Sequence, residues 1–593
     1  MPWPIAPAPI TALFATTPLL SLPTGTRRNA DPCLDGSTFR GRRVTLYRVN
    51  GYDYIAQILK TEGVEWLACF PQHPIIQAVA AVGIRPIAFR HERGAVMAAD
   101  GYSRTSDGRR FGVVAVQAQA GAENALGGLA QAGADNIPIL MLPAGNSLNT
   151  LTRPNFQAAR TYQGVAKTVE AILRPDQVAP VMRRAFHALR SGAPGPAVVE
   201  LTADVCAQEV PESAQTYQPP RPARQTPAGA AIAAAAELLR GARRPLIWAG
   251  AGVLAAGASD ALARLAELLA APVFCTMPGK SALPETHALA LGAGAGTTTL
   301  AAHRWLSECD VLLALGTSLT RSPYAQPVPP AARLIHNSVS VDDLNKDESA
   351  EVALLGDAGL TIDALLEELG ADAADEAAVA KVAGEVAAVR AEWLAEWQPA
   401  LTDDGEPLGY YRVVHALNEV LDPDASIVTH DAGAPRDCMV PFYRATVPHS
   451  YVGWGKTTHL GFGLPLAIGA KVAHPDKFCL NVMGDGAFGM SGLDLETAVR
   501  AEVPITTVLL NNGAMATYAG ARDMIGPAAR AFGVSTMSGN YAALADALGA
   551  RGIPVRTAVE LHEALAEAQR LNADGVTVLI DVQANVESRR SRF

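Results

Sequence analysis

The chain has 593 residues, a formal net charge of −10 and a composition that is 49% hydrophobic, rich in Ala and Gly. Its length calls for several cores rather than one. The acidic balance, with no basic stripe, argues against a nucleic-acid partner, and the lack of any run of about eighteen uncharged apolar residues argues against a membrane span.

Residues 1–46 are Pro-rich, with no acidic residue before Asp31 and no basic stretch ahead of the apolar PITALFATTPLLSLP. They are expected to be a disordered extension or the product of a start assigned too early; a targeting peptide is the alternative. From 47 to 215, the runs WLACF (66–70), RPIAF (85–89), FGVVAV (111–116), PILMLPAG (138–145) and AVVEL (197–201) read as strands separated by Ala-rich helical spacing. The Pro-rich stretch 216–229 reads as a linker. A second block, 230–370, contributes PLIWAGAGV (245–253), PVFCTM (272–277), VLLALGTSL (311–319) and RLIHNSV (333–339). Residues 371–405 are expected to be a helical linker. The third block, 406–593, carries SIVTHDAG (426–433), FCLNVMGDG (478–486), ITTVLLNN (505–512) and VTVLIDV (576–582). Alternating strands and helices imply three successive doubly wound, parallel α/β domains. Blocks one and three have the look of distant structural copies. Seven cysteines, at 33, 69, 206, 275, 309, 438 and 479, lack CxxC spacing and read as mostly buried, reduced thiols of a cytoplasmic protein.

One motif carries chemistry. In VMGDGAFGMSGLDLETAVRAEVPITTVLLNNGAM (482–515), Asp485 and Asn512 stand 27 positions apart. The segment reads as a strand ending at Met483, a tight glycine turn, a helix over about 491–502 with Leu493, Ala498 and Val499 able to face a sheet, a stop at Pro504, and a second strand. A right-handed crossover makes the two strands neighbours, with Asp485 and Asn512 at their carboxyl ends, where open α/β sheets bind ligands. One carboxylate oxygen, one amide oxygen and a backbone carbonyl, that of Ala514, suit Mg²⁺, which keeps its other positions for phosphate oxygens and water. Gly484 and Gly486 let backbone approach a diphosphate, and Ala487 and Phe488 offer amides to it.

This GDG…NN spacing resembles the cofactor motif of thiamine-diphosphate enzymes, and further segments over about 48–590 resemble the acetohydroxyacid synthase-like branch. The resemblance implies pyrimidine-binding, central and diphosphate-binding domains in that order. In FRHERGAVMAADGYSR (89–104) it assigns Glu92 to share a proton with the cofactor's pyrimidine ring and so activate the thiazolium. In GKTTHLGFGLPLAIGA (455–470) it assigns Leu460 to bend the cofactor, and in HDAGAPRD (430–437) it places backbone near Ala434 and Pro435 on the diphosphate. His430 and His459, nearby, read as structural.

The pattern also breaks. The first active-site loop, FPQHP (70–74), puts Gln72 and His73 where a glycine pair is usual, and VQAQAGAEN (116–124) brings in Gln119; all three are candidates to meet the substrate. Phe156-Gln157 survives, Asn146 replaces a glutamine, and Lys167 follows at a short interval. GTSLTRSPY (316–324) stands where a flavin motif is expected, so the resemblance favours a flavin-free central domain over bound FAD. The implied activity is decarboxylation of a 2-oxo acid, or carboligation, with Mg²⁺, in a homodimer or homotetramer whose sites are shared between chains. A non-catalytic subunit of this fold and a nucleotide-dependent oxidoreductase are the rival readings.

Overall fold

A computed structural model describes residues 48–593 apart from 72, 107, 109, 153–154, 371–374 and 516–523. The extension 1–46, Cys33 and Gln72 therefore lie outside the described residues.

Three six-stranded parallel sheets follow one another along the chain. The first comprises β1 (Trp66–Cys69), β2 (Arg85–Ala88), β3 (Gly112–Val116), β4 (Ile139–Gly145), β5 (Thr168–Ile172) and β6 (Ala197–Thr202), in the order β2-β1-β3-β4-β6-β5. The second comprises β7 (Pro245–Ala249), β8 (Val273–Thr276), β9 (Ala290–Gly294), β10 (Val311–Leu315), β11 (Arg333–Ser338) and β12 (Val352–Leu355), in the order β12-β11-β10-β7-β8-β9. The third comprises β13 (Ser426–His430), β14 (Tyr451–Val452), β15 (Phe478–Gly484), β16 (Thr506–Asn511), β17 (Arg551–Val555) and β18 (Val578–Gln583), in the order β14-β13-β15-β16-β18-β17. The first and third sheets thus share one winding, and the central sheet has another. Central strands such as GVVAV and VLLAL are buried along their whole length, as a sheet covered by helices on both faces requires. The 26-residue helix Glu376–Leu401 precedes the third sheet.

The first and third sheets are docked by two helices, Glu92–Arg104 and Gly463–Ala473. A Cβ on Gly101 would lie 2.1 Å from the Leu466 carbonyl oxygen, and one on Gly469 1.8 Å from that of Ala98. Only glycine on each helix lets the two backbones touch. Beside this contact, buried Arg104 donates to Asp100 and to Asp135 (2.9 Å), and Asp135 also accepts the amides of Gly455 (3.0 Å) and Lys456 (3.1 Å). This fixes the 455–461 segment onto the Ala120–Ala134 helix. The six described cysteines are buried and free. No helix among the described residues is long and apolar enough to cross a membrane.

Candidate active site

In the third sheet, β13 connects to one side and β15 to the other, which opens a crevice between their carboxyl ends. Both rims carry glycines. Gly433 (φ 83°) starts the helix Ala434–Phe442, and Gly484 starts the helix Asp485–Ser491. A Cβ on either would meet nothing within 4 Å, so both face open space. Neither helix start has a side-chain cap, which leaves first-turn amides near Ala434, Ala487 and Phe488 for a ligand; Pro435 has no N–H to offer. The expected glycine turn is corrected here. Gly484 closes β15 and Asp485 already opens a helix, because the crossover begins directly at the strand end. A second helix, Asp494–Arg500, completes the connection. Ala498 faces the core as expected, but Leu493, at the junction between the two helices, is 58% exposed.

Asp485 is buried. Its Oδ1 accepts the Gly486 amide (2.8 Å) and its Oδ2 the Gly513 amide (2.9 Å). Burial still pushes its carboxyl up, against the lowering effect of those amides. β15 and β16 are adjacent, with Gly484 opposite Leu510, so Asn512 arrives beside Asp485. Asn512 Oδ1 accepts the Ala514 amide (2.9 Å), and its Nδ2 donates to the Tyr410 hydroxyl (2.8 Å). Ala514 bridges Thr536 in an antiparallel pair whose bonds use the Gly513 carbonyl and the Met515 amide, leaving the Ala514 carbonyl out of the ladder. A buried carboxylate short of positive charge, an amide oxygen and a spare carbonyl are a donor set that fits a hard cation. A Cβ on Gly486 would lie 2.8 Å from Met515 Cγ, so any side chain there would displace the methionine.

The first sheet has the same winding, and its crevice lies between the ends of β1 and β3. His73 follows β1 and Gln119 follows β3. His73 caps the Pro74–Ala81 helix, its Nδ1 accepting the Ile75 amide (3.2 Å), and burial lowers its pKa to about 4. Gln119 sits at φ 56°, ψ −107°, a sparsely populated conformation for a residue with a side chain, at the start of the Ala120–Ala134 helix. Its Nε2 donates to Asn146 Oδ1 (3.1 Å), and Asn146 donates to the Phe156 carbonyl (3.1 Å). Glu92 opens the helix after β2 and is 4% exposed. Its Oε2 accepts from Asn124 Nδ2 (3.0 Å), and its Oε1 lies where a Cβ on Gly121 would approach to 3.3 Å. Glu92 is therefore not a solvated charge on a helix surface.

Leu460 is 36% exposed, although Gly461 and Gly463 on its far side are buried. His459 lies against Gly127, and His430 is buried, stacked on Trp454 and Tyr451. Lys167 is placed elsewhere. Its ammonium caps the Val178–Arg190 helix through the Ala188 and Ser191 carbonyls (2.6 Å each). Sequence reasoning passed over Tyr410, Asn124 and Asp431. Tyr410 lies 102 positions from its partner Asn512 and gave no local signal. A cavity of about 1190 Å³ opens away from this site, over the central sheet, lined by Trp248, Gly252, Gly316, Tyr324 and Lys456 among others.

Three family models match in chain order: the N-terminal TPP-binding domain of thiamine pyrophosphate enzymes at residues 49–164, the central domain at 232–365, and the C-terminal TPP-binding domain at 431–582. The chain belongs to the thiamine pyrophosphate enzymes. Among its relatives, a probable acetolactate synthase large subunit of Methanocaldococcus jannaschii is 30% identical over 78% of this chain and 80% of its own length. The acetolactate synthase isozyme 3 large subunit of Escherichia coli K12 is 28% identical over 90% and 94%. A probable 2-ketoarginine decarboxylase of Pseudomonas aeruginosa is 33% identical over 79% of this chain, with 82% of its own length covered.

Proposed function

We propose that this chain is a thiamine-diphosphate- and Mg²⁺-dependent enzyme that cleaves or forms a carbon–carbon bond next to the carbonyl of a 2-oxo acid, by decarboxylation or carboligation. The observation that carries the reading is the pairing of Asp485 and Asn512 at adjacent strand ends, inside a chain that matches all three domains of the family in order. Relatives named as acetolactate synthases and as a 2-ketoarginine decarboxylase support the substrate class.

When bound, thiamine diphosphate supplies a nucleophilic ring carbon and an electron sink that amino acids lack. The chain's residues do the rest. Asp485, Asn512 and the Ala514 carbonyl would hold Mg²⁺, and the backbone near Ala434 and Pro435 together with the amides around Ala487 and Phe488, with Gly484 and Gly486 clearing the way, would hold the diphosphate. Leu460 presents an apolar side chain to the rings. Glu92 holds and returns a proton at its carboxyl, in a pocket that admits little water. Gln119 and His73 flank the first-sheet crevice, where Gln119 offers its free amide oxygen to substrate; Gln72 is retained as its neighbour in role. The central domain is proposed to be flavin-free, so the purified protein is expected to show no flavin absorption band. We further propose a cytoplasmic enzyme that assembles as a homodimer or homotetramer, with Glu92 of one chain serving the metal half-site of another.

The test is a panel of 2-oxo acids, alone and with aldehyde acceptors, incubated with the protein, thiamine diphosphate and Mg²⁺, with products read by mass spectrometry. Cofactor-dependent loss of CO₂ or a ligation product is expected. Turnover that ignores the cofactor, or consumption of reduced nicotinamide in its place, sinks the reading.

A further inference from the structure

Asp431, the first residue after β13, has a carboxylate with no exposed surface and no cation within ion-pairing distance among the described residues. Three backbone amides hold it instead. Oδ1 accepts from Ala432 (2.8 Å) and Gly461 (3.1 Å), and Oδ2 accepts from Gly463 (2.9 Å). Its own amide donates to the Val482 carbonyl on β15 (2.7 Å), two residues ahead of Gly484. The buried side chain therefore ties two segments together, the 432–435 turn on one rim of the crevice and the 461–463 segment directly after Leu460, while the residue's backbone amide holds that junction to the strand that delivers Asp485. A buried carboxylate with no direct ion-pair partner is costly to keep: burial pushes this one up to about 6, although its three amides and the more distant Arg93 pull the other way.

We propose that Asp431 is a positioning residue of the cofactor site: its carboxylate locks the Leu460 segment to the diphosphate cradle, so that apolar support and anion site arrive in one fixed geometry. The proposal rests on the thiamine-diphosphate reading above. Asparagine cannot replace the residue, because one of its two terminal atoms is a donor and would face an amide donor of Gly461 or Gly463.

The test has two arms. In the first, amide hydrogen exchange is compared between wild type and Asp431→Asn without cofactor. Faster exchange across 455–463 is expected, and unchanged protection there overturns the proposal whether or not the protein binds thiamine diphosphate. In the second, thiamine diphosphate with Mg²⁺ is titrated into wild type, D431N, L460A and the double variant, followed by tryptophan fluorescence. D431N is expected to weaken binding about 10–100-fold, the range for partners that orient a ligand-holding group. L460A is expected to cost much less in the D431N background than in wild type. Losses that simply multiply, or a D431N protein that only melts earlier while binding normally, overturn the proposal. If D431N does not fold, Asp431→Ser takes its place, and Gly461 and Gly463 amides that exchange freely in wild type are decisive against it. A wild type that fails to bind the cofactor defeats the functional reading, and the first arm still judges the positioning claim.

Discussion

The first and third sheets are wound identically, yet the crevice each opens at its switch point is chemically different. The third offers Asp485, an amide oxygen and glycine-cleared helix amides, a set suited to cation and polyanion. The first offers a buried carboxyl at Glu92, a neutral histidine cap and a strained glutamine, a set suited to a proton and a neutral heterocycle. The central sheet, wound in the order of dinucleotide-binding folds, opens a wide cavity where Lys456 Nζ lies 2.9 Å from Ser318 Oγ. Shared winding therefore fixes where a ligand can sit, and the residues on the loops decide what it is.

The contrast between the two outer crevices breaks down if removing one half-site's chemistry leaves its function intact. Asp485→Ala should have the largest effect. Thiamine diphosphate and Mg²⁺ binding, measured by calorimetry, is expected to weaken at least about 100-fold while the far-ultraviolet circular dichroism is unchanged. Glu92→Gln should instead spare binding to within a few-fold and lower turnover by about 10²–10⁴-fold, since it removes a proton carrier and not an anchor. Comparable effects of the two variants on affinity would erase the division of labour.

His73→Asn sharpens the same comparison through pH. The folded imidazole stays neutral down to about 4, because burial disfavours its charged form. An unfolded histidine takes up its proton near 6.5, so the unfolded state binds more protons between those limits. Stability from this group is complete above about 6.5 and falls as pH drops towards 4, by roughly 3 kcal/mol. Asparagine keeps the helix cap without titrating, so urea midpoints of the variant should fall less steeply into acid. The smallest effect is expected from Gln119→Gly. Glycine relieves the conformation at φ 56°, gaining about 1 kcal/mol in thermal unfolding, while the amide that reaches Asn146 is lost and the preference among 2-oxo acids changes.

The strands that sequence reasoning missed share one property. β5, β9, β12, β14 and β17 all lie at sheet edges. An edge strand has only one neighbour and is partly open to water. TVEAI in β5 is mostly half-buried, RGIPV in β17 alternates between buried and exposed, and YV in β14 spans two residues. These three lack the continuous apolar run that marks a covered strand; VALL in β12 has a run of only four residues, and ALGAG in β9 is built of small residues. Interior strands produced it and were legible. The same division holds in the site. Asp485 and Asn512 were legible because one crossover of nearly fixed length separates them. Tyr410, Asn124 and the amides around Asp431 were not, because their partners come from elements remote in sequence or from backbone groups that every residue carries.

By itself the sequence determined the three parallel α/β blocks, the strand–helix–strand unit bearing Asp485 and Asn512, and the glutamate at the start of a helix, since each depends on periodicity or spacing within a few dozen residues. Only the tertiary structure decided that the outer sheets share a winding, that Gly101 and Gly469 bring two helices into backbone contact, and that the Asp431 carboxylate gathers amides from its own turn and from the distant 461–463 segment. Those features depend on which surfaces meet once apolar faces are buried, and contacts between surfaces leave no local trace along the chain.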